Sequence, residues 1–235
     1  DPATDINSFV WGFNNDGRMG GISQDKAVDM SYGNWNNRKA AEQLREVVVA
    51  VIDGGVDATN PDLGPVMWDE GLTSGIVQTG KEDEHGFAVV ADASTSSTKG
   101  LDGYHGTHVA GIIGAAWDGA GISGLAGNVK LMAVRHNDTL SGMLECFDYV
   151  SRACDAGVEV RVANNSWGFG QAQLRSINLA VTEIGQQGVV SIFASGNSAF
   201  DNDAAASTAG VLADNPYAVV VDAIEATGKP TQFTQ

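Results

Sequence analysis

Between residues 45 and 226 the chain alternates short β-branched runs with longer amphipathic segments, and this alternation restricts the fold more than any other feature. "REVVVAVIDGG" (45–55), "VKLMAVRHN" (129–137), "VEVRVANNSWG" (158–168), "VVSIFASGN" (189–197) and "YAVVVDAIEA" (217–226) read as strands. Between them, "HGTHVAGIIGAAW" (105–117), "SGMLECFDYVSRACDAG" (141–157) and "QLRSINLAVTEIGQQG" (173–188) read as helices. Strands apolar along their whole length are buried on both faces, so the pattern predicts an α/β domain whose mostly parallel sheet carries helices on both sides.

In such a sheet, chemistry collects on the loops that follow the strands. Asp53 ends the first strand, Ser166-Trp167-Gly168 follow another, and Asn197 follows a third. The three groups are expected on one rim. Residues 1–40 contain Trp11, Phe13 and Trp35 without a clear period and read as an arm wrapping a domain of residues 41–235. The polar stretch at about 70–100 reads as a mobile surface insertion, with a substrate-shaping lid as the competing reading.

Charge narrows the partners. A formal net charge of -16, with no basic stripe, disfavours nucleic acid and anionic membrane surfaces. No apolar run approaches the ~20 residues that a membrane helix needs. The only cysteines, Cys146 and Cys154, fall in one predicted helix. Eight residues of helix would separate them by roughly 12 Å, so they are expected as reduced thiols.

Two histidines three apart, His105 and His108, lie at the start of a predicted helix. Positive potential at a helix N-terminus favours a neutral imidazole that can accept a proton, which suits His105 to general-base work. His108, deeper in the apolar stretch, is expected as a packed, hydrogen-bonded residue. A zinc pair is the competing reading, but its familiar helical spacing is i, i+4 with an intervening Glu. Asp53 alone fits an orienting carboxylate, a phosphoacceptor or a metal ligand. The amide of Asn197 suits donation to a developing oxyanion.

Taken in order, "VVVAVIDGGVDATNPDL", "GYHGTHVAGIIGA", "GISGLAGNVKLMAVR", "NNSWG" and "FASGN" resemble the successive motifs of the subtilisin-like serine proteases, the subtilases. The resemblance covers about residues 45–235 and implies a three-layer subtilisin-like fold, C-terminally incomplete. It implies acyl-transfer hydrolysis of peptide bonds, with Asp53 orienting His105, His105 as general base and Asn197 as oxyanion donor. The segments around Gly142 and at Ser166, Trp167 and Gly168 would flank a polypeptide substrate as two edge strands. It also implies secretion or a cell-surface location. No cofactor is required for the chemistry, while a structural calcium is suggested by Asp62 and Asp118, which stand at matching spacings; Asp201 and Asp203 are further acidic candidates.

The chain departs from the pattern in three places. Gly54 replaces the usual Ser or Thr after the aspartate, so Asp53 is expected to be held less firmly. Ser195 replaces the usual alanine before Gly196, a minor change. The family nucleophile lies in a GTS-type sequence well beyond the asparagine, and no GTS occurs in these residues; Ser207 comes too soon to take its place. These residues alone are therefore expected to be inactive until a companion C-terminal segment supplies the serine. Two other readings stand beside this one: a non-catalytic subtilase-like module that binds extended peptides, and a receiver-like domain phosphorylated on Asp53.

Overall fold

In the computed structural model, residues 45–69, 82–89, 103–168, 174–198, 212, 214–225 and 229–234 are described. The expected arm at 1–40, most of the stretch at 70–100, and Asp201, Asp203 and Ser207 lie outside them. The described elements follow the predicted alternation. They are β1 (Val47–Asp53), β2 (Glu82–Asp83), β3 (Gly86–Ala88), α1 (Gly103–Gly114), β4 (Val129–Arg135), α2 (Leu140–Asp155), β5 (Val160–Asn165), α3 (Leu174–Gln186), β6 (Val190–Ala194) and β7 (Ala218–Val221).

The strands form a 7-stranded sheet in the order β2-β3-β4-β1-β5-β6-β7, parallel throughout except at the β2–β3 pair. β1, the first of the described strands, lies inside the sheet with β4 and β5 on either side, so the described strands wind outward in both directions. This is the doubly wound arrangement in which strand ends flank a crevice.

Side-chain alternation along β1 divides the core. Val48, Ala50 and Ile52 pack with Met143, Phe147 and Val150 of α2 and with Ile177, Val181 and Ile184 of α3. Val49 and Val51 pack on the opposite face with Ala110 of α1. Strand side chains alternate with period 2, so Asp53 continues the second series and projects toward α1. Core packing along β1 therefore directs this carboxylate toward α1.

One expectation fails inside the polar stretch. Residues 86–88 add a strand beside β4, and Phe87, 4% exposed, stacks on Tyr149 of α2 with ring centroids 5.0 Å apart. Gly86 is required there: its φ is +146°, and a Cβ would lie 2.0 Å from the Ala133 carbonyl oxygen. This part of the supposed insertion belongs to the sheet.

The two faces are covered unequally. Beyond β1, on the side that α1 covers, Val190 is 40% exposed, Val219 47% and Val221 50%. Cys146 is buried, Cys154 is half-buried, and neither is in a disulfide. No helix among the described residues is long and apolar enough to cross a membrane.

Candidate active site

Asp53 is 3% exposed at the end of β1, and His105 comes to it from α1. His105 Nδ1 lies 2.9 Å from each carboxylate oxygen, so the ring addresses both at once. With Asp53 ionised, Nδ1 carries the proton and donates it, which leaves Nε2 with its lone pair. The imidazole side chain is 54% exposed, so its outer edge is open to an incoming group.

Gly106 makes the approach possible. A Cβ there would lie 2.3 Å from the Gly55 carbonyl oxygen and 3.0 Å from Asp53 Cβ. Thr107 then fastens the helix to the loop after β1 by accepting the Asp57 N–H at 2.9 Å. Gly54, which lacks the hydroxyl usual in the resemblance, still donates its backbone N–H to Asp53 Oδ1 at 2.7 Å.

The helix starts two residues earlier than its sequence pattern suggested, at Gly103, so His105 lies within its first turn. His108 is exposed rather than packed. The buried side of α1 is formed by Gly106 and Ala110, which places Tyr104, His108 and Ile112 on the outside. His108 lines a separate cavity of about 460 Å³ with Asp57, Asp62 and Tyr104. The two histidines therefore have separate surroundings.

Asn197 is exposed beyond β6, where it lines a cavity of about 310 Å³ with Asn164, Ser166, Ala194 and Val221. Gly196, at φ +123°, turns the chain just before it. Ser166 faces this cavity. Trp167, the next residue, packs instead with the α2 and α3 side of the core. Its indole N–H donates to the Ile52 carbonyl at 2.8 Å. Gly168 is exposed at the same rim.

Gly142 does not lie in an edge strand. It is buried in the first turn of α2, where its N–H donates to Thr139 Oγ1 at 3.1 Å. The Thr139 cap takes up that donor, because an N-cap side chain satisfies an otherwise orphaned helical N–H. The Ser166–Gly168 segment remains at the rim; the Gly142 backbone donor is already engaged.

Asp62 and Asp118 serve one loop. Asp62 Oδ2 accepts the Ile122 N–H at 3.1 Å, and Asp118 Oδ1 accepts the Ala120 N–H at 3.0 Å. Calcium takes 6–8 oxygen ligands. Among the described residues, no group of three or more His, Cys, Asp or Glu could hold a metal ion. Both carboxylates accept loop N–H groups, and no step is assigned to a metal.

Comparison with known proteins places this geometry in context. The model of the subtilase family matches residues 45–235. Fervidolysin of Fervidobacterium pennivorans is 35% identical over 164 residues, covering 66% of this chain and 21% of the relative. Subtilisin E of Bacillus subtilis (strain 168) is 28% identical over 222 residues, covering 91% of this chain and 48% of the relative. The chain thus spans half or less of these relatives. Among solved structures, the nisin leader peptidase NisP from Lactococcus lactis has a similar fold, with a TM-score of 0.55 at 19% identity over 89% of this chain and 65% of that one.

Proposed function

The chain belongs to the subtilase family of serine-type peptidases, and on that premise we propose that residues 41–235 are the Asp- and His-bearing part of a secreted or cell-surface subtilisin-like endopeptidase. The observation that carries the reading is the contact between His105 Nδ1 and both oxygens of the buried Asp53, at 2.9 Å, in residues 52 apart in sequence. A metal clip would not require that geometry; a general base held in one tautomer would.

In this reading His105 Nε2 takes the proton from a serine hydroxyl as the oxygen attacks the peptide carbonyl. Asp53 holds Nδ1–H and stabilises the imidazolium that forms. Asn197 donates its side-chain amide to the tetrahedral oxyanion, and the polypeptide lies along Ser166–Gly168. His105 then returns the proton to the leaving amine, and water repeats the sequence on the acyl-enzyme.

The serine comes from outside these residues, on a segment that packs against the face of β5, β6 and β7 where Val190, Val219 and Val221 are exposed. Support for that placement is the line of Val190, Val219 and Val221 along the face that also carries the Asn197 cavity. The extracellular location is supported by relatives named a cell wall-associated protease and a minor extracellular protease, both of Bacillus subtilis (strain 168).

Two measurements test the reading. In the protein that carries the serine, His105→Ala is expected to reduce peptide hydrolysis by at least about 10³-fold; undiminished hydrolysis would overturn the assignment. The 235-residue chain alone is expected to take no fluorophosphonate label, and a label on it would place the nucleophile within this sequence.

A further inference from the structure

We propose that Trp167 is a positioning residue for Asp53, acting through the backbone at the end of β1. This rests on the reading of Asp53 and His105 as a catalytic pair. Two carbonyls at the end of β1 are held from its neighbouring strands. The Ile52 carbonyl accepts the Trp167 indole N–H at 2.8 Å from beyond β5. The Asp53 carbonyl accepts the His136 backbone N–H at 3.1 Å from beyond β4.

The two anchors touch one another. The rings of His136 and Trp167 meet edge to face with centroids 5.4 Å apart, and Trp167 meets Phe193 of β6 edge to face at 5.8 Å. His136, whose side chain is 7% exposed, is fixed in turn by the Asp138 N–H, which donates to its Nδ1 at 3.2 Å. Three aromatic rings, from just beyond β4, from just beyond β5 and from within β6, thus form a bracket behind the peptide groups that carry the Asp53 side chain.

Trp167 has a different orientation from its neighbour. Ser166 lines the cavity at Asn197, and the Trp167 ring lies on the opposite face among the α2 and α3 side chains. Alternation along β5 and its continuation separates them. The ring on that face reaches the end of β1 through its indole N–H. It holds the Ile52 peptide, and a small error there would displace a carboxylate that must meet both sides of a 2.9 Å contact. Misplacements of about 1 Å at an active group cost rates of order 10²-fold.

The test removes the donor while keeping the ring. Trp167 is replaced by benzothienylalanine, which has nearly the shape of tryptophan but no N–H, and separately by Phe. In the serine-bearing protease, the isostere is expected to lower kcat about tenfold with KM changed less than twofold, and Trp167→Phe at least as much. In the 235-residue chain, the low-field Nδ1–H proton resonance of His105 is expected to shift or broaden with either replacement. An isostere with unchanged kcat and an unchanged resonance would overturn the positioning role. A rise in KM alone would also overturn it, in favour of substrate contact. His105→Ala serves as the control: if hydrolysis survives it, the pair itself is misassigned; if hydrolysis is lost but the isostere is silent, only the role of Trp167 falls.

Discussion

Gly106 stands where the helix crosses the loop after β1, and its missing side chain sets how close His105 comes to Asp53. A Cβ would meet backbone, the Gly55 carbonyl oxygen at 2.3 Å, which cannot rotate away as a flexible side chain could. Gly106→Ala should therefore push α1 outward and cost about 1–3 kcal/mol, the usual range for overpacking. Urea unfolding measures the cost, and loss of the His105 Nδ1–H resonance reports the separation; a variant of full stability with that resonance intact would show that the helix has room. Asp62 makes a different residue-scale case. Its carboxylate takes a loop N–H, so Asp62→Ala should cost about 1–2 kcal/mol equally in calcium and in chelator. A loss seen only in calcium would mean that an ion, rather than the hydrogen bond, is the main contribution. Cys154 supplies the pH-dependent case: burial pushes its thiol up, with Asp155 and Glu159 adding to the effect and Arg161 opposing it. Less thiolate forms at neutral pH, so alkylation of Cys154 in the folded protein should lag behind a small free thiol and accelerate only at more alkaline pH. Equal rates at pH 8 would refute this.

At the scale of elements, α2 shows how one polar side chain decides a boundary. Thr139 Oγ1 accepts the Gly142 N–H, and no acidic residue in the first turn assists it. Thr139→Ala should cost about 1 kcal/mol in urea unfolding, while Thr139→Ser should cost much less because the acceptor remains. Gly142 falls inside the 141–157 stretch that reads as a helix, and only the resemblance suggested an edge strand there; nothing in the sequence says that Thr139 will bind its N–H. Five of the described strands and the three described helices could be read in advance: continuous apolar runs mark the strands, 3.6-residue periods mark α2 and α3, and α1 shows as a run of small and apolar residues. The Gly86–Ala88 strand could not: three residues are too few to show a period, and acidic neighbours on one side made "FAVV" look incidental. The pairing of Asp53 with His105 was suggested by motif order, while its geometry follows from β1 alternation and from Gly106. His108 was misjudged for the opposite reason, since α1 is apolar on most sides and its composition does not reveal which side meets the sheet. The aromatic bracket at His136, Trp167 and Phe193 had no sequence signal, because its members lie in or just after three different strands and meet only when the sheet forms.

For the molecule as a whole, two opposing properties govern behaviour in solution. The net charge of -16 keeps copies apart through long-range repulsion. The face of β5, β6 and β7 opposite α2 and α3 presents Val190, Val219 and Val221 at 40%, 47% and 50% exposure, a short-range attraction for any apolar surface. Repulsion weakens as the screening length falls from about 10 Å at 0.1 M salt to about 3 Å at 1 M, whereas the apolar attraction persists. The 235-residue chain should therefore sediment as a monomer at low ionic strength, self-associate as salt is raised, and bind an apolar dye under both conditions. Replacing Val219 and Val221 by Thr keeps β-branched residues in β7 and adds polarity only where the side chains already meet water, so stability should change by no more than about 0.5 kcal/mol per substitution. Dye binding and salt-induced association should both fall in that variant. If they do not, the attractive surface lies elsewhere and the sheet face is already covered. If they fall, the same two substitutions in the serine-bearing protease become informative, because a face buried beneath the nucleophile's segment would then pay for the added hydroxyls in stability, an effect that the isolated chain does not show.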